Sequence, residues 1–98
     1  MIVIIARLTT KPGQRDRVVE IARPCIEATR KEEGCLSYEL FKSTENENEL
    51  VFVERWSGRE TGIEVHQKTA HLAKFKEDRA PYVEGPSQLT ILEATVAQ

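Results

Sequence analysis

The 98-residue chain is short of most residues that announce a specialised function. Its two cysteines, Cys25 and Cys35, are too few for a disulfide framework. They form no C-x-x-C, and the partly helical pattern between them would hold the sulfurs too far apart to bridge. They read as two reduced thiols packed as small hydrophobes. Charge of one sign is also missing: 14 basic residues face 16 acidic ones, and no cationic run exceeds the pair Arg30-Lys31. A phosphate-tracking surface, and with it nucleic-acid binding, is therefore not expected. The only continuous apolar start, Met1 to Ala6, is far shorter than a membrane span and lacks the layout of a secretory signal. The expectation is a soluble, cytoplasmic protein that does not engage membranes.

Motifs are equally sparse. There is no G-x-G-x-x-G, no P-loop and no G-x-S-x-G, so no nucleotide, flavin or other cofactor is encoded. H-E-x-x-H and comparable clusters are absent, and no metal site is expected. A chain of this length holds one core and has no room for a cofactor domain beside a catalytic one. Residues 1–98 are read as a single domain.

What is present is a clear alternation of elements. Ile2 to Leu8 is a β-branched run closed by Thr9-Thr10-Lys11-Pro12-Gly13, a strand followed by a turn. From Gln14 to about Lys31 the spacing of Val18, Ala22, Cys25 and Thr29 predicts an amphipathic helix, flanked by Val19, Ile21 and Ile26. Pro24 predicts a kink in it, and Gly34 is expected to supply its stop. Leu36 to Lys42 and Leu50 to Ser57 read as antiparallel strands around the polar loop Ser43 to Glu49. Arg59 to about Arg79 is a second helical region, weakened at Gly62 and at Thr69-Ala70, with Thr69 placed to cap a fresh turn. After Pro81 and Gly85-Pro86, Gln88 to Thr95 alternates as a last strand.

The order β-α-β-β-α-β is the ferredoxin-like arrangement, an α+β fold with a four-stranded antiparallel sheet and both helices on one face. Strand one carries Ile2 and Ile4 on one side and Val3 and Ile5 on the other. Strand three sets Phe52 and Trp56 against Val51 and Val53. A second apolar sheet face exceeds what a soluble monomer leaves bare, which predicts a homodimer with the two sheets packed face to face.

Few side chains titrate near neutral pH. His66 and His71 both lie in the second helical region, and histidine is the natural proton acceptor there. On an unbroken helix residues five apart point about 140° from each other, so the pair shares a face only if the helix breaks at Thr69. Glu54 alternates with Phe52 and Trp56, which makes it a candidate inward carboxylate, with Arg55 facing the other way. Tyr38, Glu39, Phe75 and Tyr82 add polar and aromatic options.

Four segments carry a family resemblance: Lys11-Pro12-Gly13; Glu33-Gly34-Cys35-Leu36-Ser37-Tyr38; Glu54-Arg55-Trp56; and His66-Gln67-Lys68-Thr69-Ala70-His71. The patterns E-x-G-C-x-x-Y, E-x-W and H-x-x-T-x-H, in this order over essentially the whole chain, resemble the antibiotic biosynthesis monooxygenase (ABM) family. The resemblance implies a dimeric α/β barrel of two ferredoxin-like protomers, each with a pocket between sheet and helices. It also implies a cofactor-independent monooxygenase that oxidises a quinol or phenolic polycyclic small molecule with O2. For that chemistry a base ionises the phenol, an apolar wall shields it, and donors hold the oxyanion. On this resemblance His71 is the base, with His66 as its catalytic partner. Trp56, Tyr38, Glu54 and Phe75 form the substrate-binding set. Haem-degrading relatives combine an Asn on strand one with Trp and His, and Ile2 to Arg7 lacks that Asn. A related isomerase of phosphorylated autoinducer sugars would need cations such as Arg55, Arg59, Lys68 or Lys74 for the phosphate. A non-catalytic small-molecule-binding dimer is the further alternative.

Overall fold

In a computed structural model, which describes residues 1–95, the elements follow the expected order. Strand β1 (Ile2–Thr9) leads to helix α1 (Arg15–Arg30), then to strands β2 (Cys35–Lys42) and β3 (Glu49–Trp56). Two irregular turns, Glu60–Val65 and His66–Lys68, precede helix α2 (Ala70–Arg79), and strand β4 (Gln88–Glu93) closes the order. The sheet runs β2-β3-β1-β4 with every neighbour antiparallel, as the ferredoxin-like reading requires. β1 lies inside it because its β-branched residues hydrogen-bond on both edges: Ile4 sits opposite Glu54 on β3 and Ile91 on β4.

Period-two alternation fixes which residues meet the helices. Ile2, Ile4, Ala6 and Leu8 of β1 and Leu50, Phe52, Glu54 and Trp56 of β3 are buried, whereas Val3, Ile5, Val51 and Val53 are only partly covered. Onto the buried face α1 lays Val18, Ala22, Cys25 and Thr29, and α2 lays Leu72 and Phe75. Both thiols are free; Cys25 is buried and Cys35 half-buried. No helix among the described residues is long and apolar enough to cross a membrane.

Several boundaries differ from the sequence reading. α1 is one helix with Pro24 inside it, as expected, and its bounds fall within a residue of the expected Gln14 to Lys31. Gly34 is not its stop. It takes φ +82° at the turn into β2, where a Cβ would come within 2.6 Å of Ser57 Oγ and of Thr61. Its carbonyl accepts a hydrogen bond from Ser57 N at 2.8 Å, joining the start of β2 to the end of β3. Thr69 does precede α2, in an extended conformation with ψ 148°. Its hydroxyl does not cap the helix, however, but donates back to the His66 carbonyl at 2.8 Å. β4 stops at Glu93, two residues short of Thr95.

All six β4 residues are exposed, including Leu89 and Ile91, which lie opposite Ala6 and Ile4 on the face the helices cover elsewhere. The helical layer therefore ends at β1 and leaves the β4 edge open.

Candidate active site

The break at Thr69 decides where the histidines go. His66 opens a short 3-10 turn, Thr69 swings the chain into extended geometry, and α2 restarts at Ala70. This lets two residues five apart aim at one point, which a continuous helix would forbid. That point is Glu32, in the turn between α1 and β2. Nδ1 of His66 and Nε2 of His71 each lie 2.7 Å from Glu32 Oε2. A carboxylate only accepts, so both rings donate to it. For neutral His66 this fixes the Nδ1–H tautomer and leaves Nε2 as a free lone pair. The second oxygen, Glu32 Oε1, is buried with no hydrogen-bond partner among the described residues.

On its other side His66 meets the sheet. Its Nε2 lies 3.9 Å from Oε1 of Glu54, and that oxygen accepts a hydrogen bond from Trp56 Nε1 at 3.0 Å. The indole packs against the imidazole with ring centroids 4.8 Å apart, and Tyr38 meets the imidazole edge-on at 5.7 Å. Gly62 makes the Trp56 position possible, since a Cβ there would lie 2.7 Å from the indole. Strand pairing places Tyr38 directly opposite Glu54, so both project from the same sheet face.

Burial governs the electrostatics. Removal from water raises the Glu54 pKa to about 7; the Trp56 N–H opposes the rise and the charge of Glu32 adds to it. Burial also lowers the pKa of His66 below the ordinary imidazole value, although Glu32 pulls the other way. The Tyr38 phenol is held well above its usual range, chiefly by burial and then by Glu54, and stays neutral. At neutral pH the site therefore offers a neutral imidazole, a neutral phenol and a carboxyl near its midpoint.

A cavity of about 60 Å³ lies between sheet and helices. Tyr38, Glu54, His66 and Phe75 line it, as four of the six sequence-chosen residues. Trp56 does not; it is fully buried behind Glu54 and His66. His71 opens instead on a groove between α1 and α2, beside Cys25, Pro24 and Lys74. The two histidines thus share a carboxylate but face different spaces. The cations weighed from sequence, Arg55, Arg59, Lys68 and Lys74, are absent from the cavity lining, whereas Lys76 and Arg79 belong to it.

Sequence reasoning missed Glu32 and Arg79. Glu32 lies 34 residues before His66, and its signal was the leading acid of E-x-G-C-x-x-Y. With His66 and His71 it also forms a group of potential metal ligands that no sequence spacing announced: one ligand atom from each falls within 4.8 Å of the others. As they stand, both rings are hydrogen-bonded to Glu32 Oε2, while Oε1 is left without a partner among the described residues. Arg79 extends the buried stripe of α2 after Leu72 and Phe75, at a spacing where an apolar residue is expected.

Comparison with known proteins bears on the same residues. The chain is 35% identical over 75 residues to the candidate monooxygenase YcnE of Bacillus subtilis, covering 76% of this chain and 78% of that one. It is 25% identical over 97 residues to the Synechocystis protein sll1783, covering 99% of this chain but spanning only 65% of the relative's length. Among solved structures, a candidate antibiotic biosynthesis monooxygenase from Nitrosomonas europaea superposes with a TM-score of 0.90 at 21% identity, over 98% of this chain and all of that one. Residues 1–78, which include Glu32, Tyr38, Glu54, Trp56 and both histidines, match the family's sequence pattern. The chain that gathers these six residues into one cluster belongs to the antibiotic biosynthesis monooxygenase family.

Proposed function

We propose that this protein is a cofactor-independent monooxygenase that oxidises a small phenol or quinol with O2, His66 acting as base. The observation that carries the reading is the position of His66: its Nδ1 is anchored by Glu32 and its Nε2 is free on the Glu54 side, in a cavity that Tyr38, Phe52 and Phe75 also line. The family resemblance pointed to His71 as base. The geometry favours His66, because His71 lies beyond Glu32 and does not line the cavity. His71 then helps hold Glu32 in place.

A phenolic O–H placed against Nε2 gives up its proton, and Glu32 stabilises the resulting imidazolium. The phenolate is electron-rich enough to reduce O2 directly. For a hydroquinone the balance is complete without a cofactor: one oxygen atom is retained as the new carbonyl or hydroxyl and the other leaves as water. All four electrons come from the substrate. Pockets for drug-sized ligands run to about 300–1,000 Å³, so an aromatic substrate would extend from this small cavity past Ser87 and Leu89 at its rim. The open β4 edge and the partly covered outer sheet face support a homodimer that completes the enclosure.

A second reading has one specific observation in its favour. Lys76 and Arg79 both line the cavity, as an isomerase of a phosphorylated sugar would require. Oxygen uptake by the metal-stripped protein over a panel of hydroquinones and phenolic polycyclics, corrected for autoxidation, tests the first reading. Enzyme-dependent uptake supports it. No uptake, together with catalysed deuterium incorporation next to the carbonyl of a phosphorylated ketose, would replace it with the isomerase.

A further inference from the structure

Arg79 is a buried cation without a counter-ion. It is 8% exposed, and among the described residues its guanidinium makes no hydrogen bond or ion pair. Its one close partner is the Phe75 ring, whose centroid lies 4.6 Å from the guanidinium carbon. Its nitrogens are not sealed from solvent; what sets it apart is a charge at the cavity with no protein anion paired to it among the described residues. Other cations of this chain do have answers: Arg7 pairs with Glu49, Arg23 with Glu20, Lys42 with Asp16 and Lys74 with Asp78. Arg79 lines the same cavity as Tyr38, and the Tyr38 hydroxyl is likewise without a hydrogen-bond partner among the described residues. The cavity therefore holds two idle donors, one permanently charged, and no anion that engages them.

We propose that Arg79 and Tyr38 form a carboxylate-binding subsite, so that the natural ligand is a small aromatic acid with its carboxylate on Arg79 and its ring toward Phe75 and the cavity rim. This names the substrate class for the site described above and rests on that reading only for the reaction, not for the binding. A carboxylate fits better than a phosphate monoester for two reasons. A single buried guanidinium matches one negative charge and its fork engages both carboxylate oxygens. The second cation at the cavity, Lys76, is exposed, while Glu54 in the lining and Glu32 behind His66 would oppose a dianion.

Trp56 provides a direct test. It is the sole tryptophan, fully buried, hydrogen-bonded to Glu54 and packed on His66, so its fluorescence reports on the cavity. Titrating the intact protein with benzoate, benzamide and phenyl phosphate, without oxygen or turnover, compares one shape in three charge states. Benzoate is expected to bind at least about tenfold more tightly than either of the others. In Arg79→Met that preference should vanish, and Arg79→Lys should keep part of it. Thermal melts of the variants supply a readout a structural arginine would move the other way: removing an unanswered buried charge should leave Arg79→Met at least as stable as the parent. Equal affinity for benzoate and benzamide, tighter binding of phenyl phosphate, or an unchanged preference in Arg79→Met would overturn the proposal. Because this measures binding alone, it fails or succeeds separately from the oxygen-uptake assay.

Discussion

Glu54 is a residue whose burial should be visible in the stability of the whole protein. Its pKa is raised to about 7 in the folded state from an ordinary 4.5, so between those values the native protein holds a proton the unfolded chain has released. Stability from this group therefore falls as pH rises through that window and stays low above it. His66 works in the opposite sense: its depressed pKa means the unfolded chain takes up the proton first, so stability falls on acidification below about 6.5. Glu54→Gln keeps an acceptor for Trp56 and removes the titration. Its unfolding free energy from urea titration should match the parent near pH 4 and exceed it at pH 8.5, by at most about 3 kcal/mol. An identical pH dependence in both proteins would mean that Glu54 is not desolvated. Single residues were also where the sequence was most and least informative. Strand alternation alone marked Glu54 as inward, since Phe52 and Trp56 fix its face. Glu32 was marked only as the leading acid of E-x-G-C-x-x-Y, and its role depends on a turn that brings it to residues 34 and 39 positions away. Arg79 hid for a different reason, because a charge on a helix is ordinarily read as solvated.

At the scale of elements, the irregular stretches do the positioning. Gly34 and Gly13 both have positive φ, yet only Gly34 faces crowding, with Ser57 and Thr61 within 2.6 Å of an added Cβ. Gly34→Ala should therefore cost more than the backbone penalty of about 1 kcal/mol expected for Gly13→Ala, by a further ~1–3 kcal/mol. Denaturant melts of the two variants check this, and equal losses would mean the β2 start is looser than described. Gly62→Ala should push on the Trp56 indole, shift its fluorescence and lower activity together with stability. The strands and α1 were legible within a residue or two because their periodicities are unbroken. The region from Glu60 to Lys68 was read as helical and is, but as π and 3-10 turns rather than α-helix, a shape fitted to Trp56 beneath Gly62 and to Glu32 beside His66. α1 continues through Pro24 as one element, as its spacing predicted.

For the whole molecule, the expectation of a homodimer follows from uncovered surface. Val3, Ile5, Val51 and Val53 lie partly covered on the outer sheet face, interrupted by the ion pairs Arg7–Glu49 and Arg55–Glu39. Leu89, Ile91 and Leu92 stand exposed on β4 at 48%, 39% and 48%. Sedimentation should give a mass near twice 11.2 kDa, and Val53→Lys, which sets a charge in the middle of the outer face, should return the monomer. A monomeric parent would leave the sheet face unexplained. Under the proposed function, proton transfer takes place in the cavity between sheet and helices, with His66 as the acceptor. Initial rates of oxygen uptake on one active hydroquinone, compared among the parent, His66→Ala and His71→Ala, test it most directly. Loss of His66 should lower the rate by about 10²–10⁴-fold, whereas loss of His71, which acts only through Glu32, should cost far less. A parent-like rate in His66→Ala, or the larger loss in His71→Ala, would contradict the account and move the chemistry to the groove between α1 and α2.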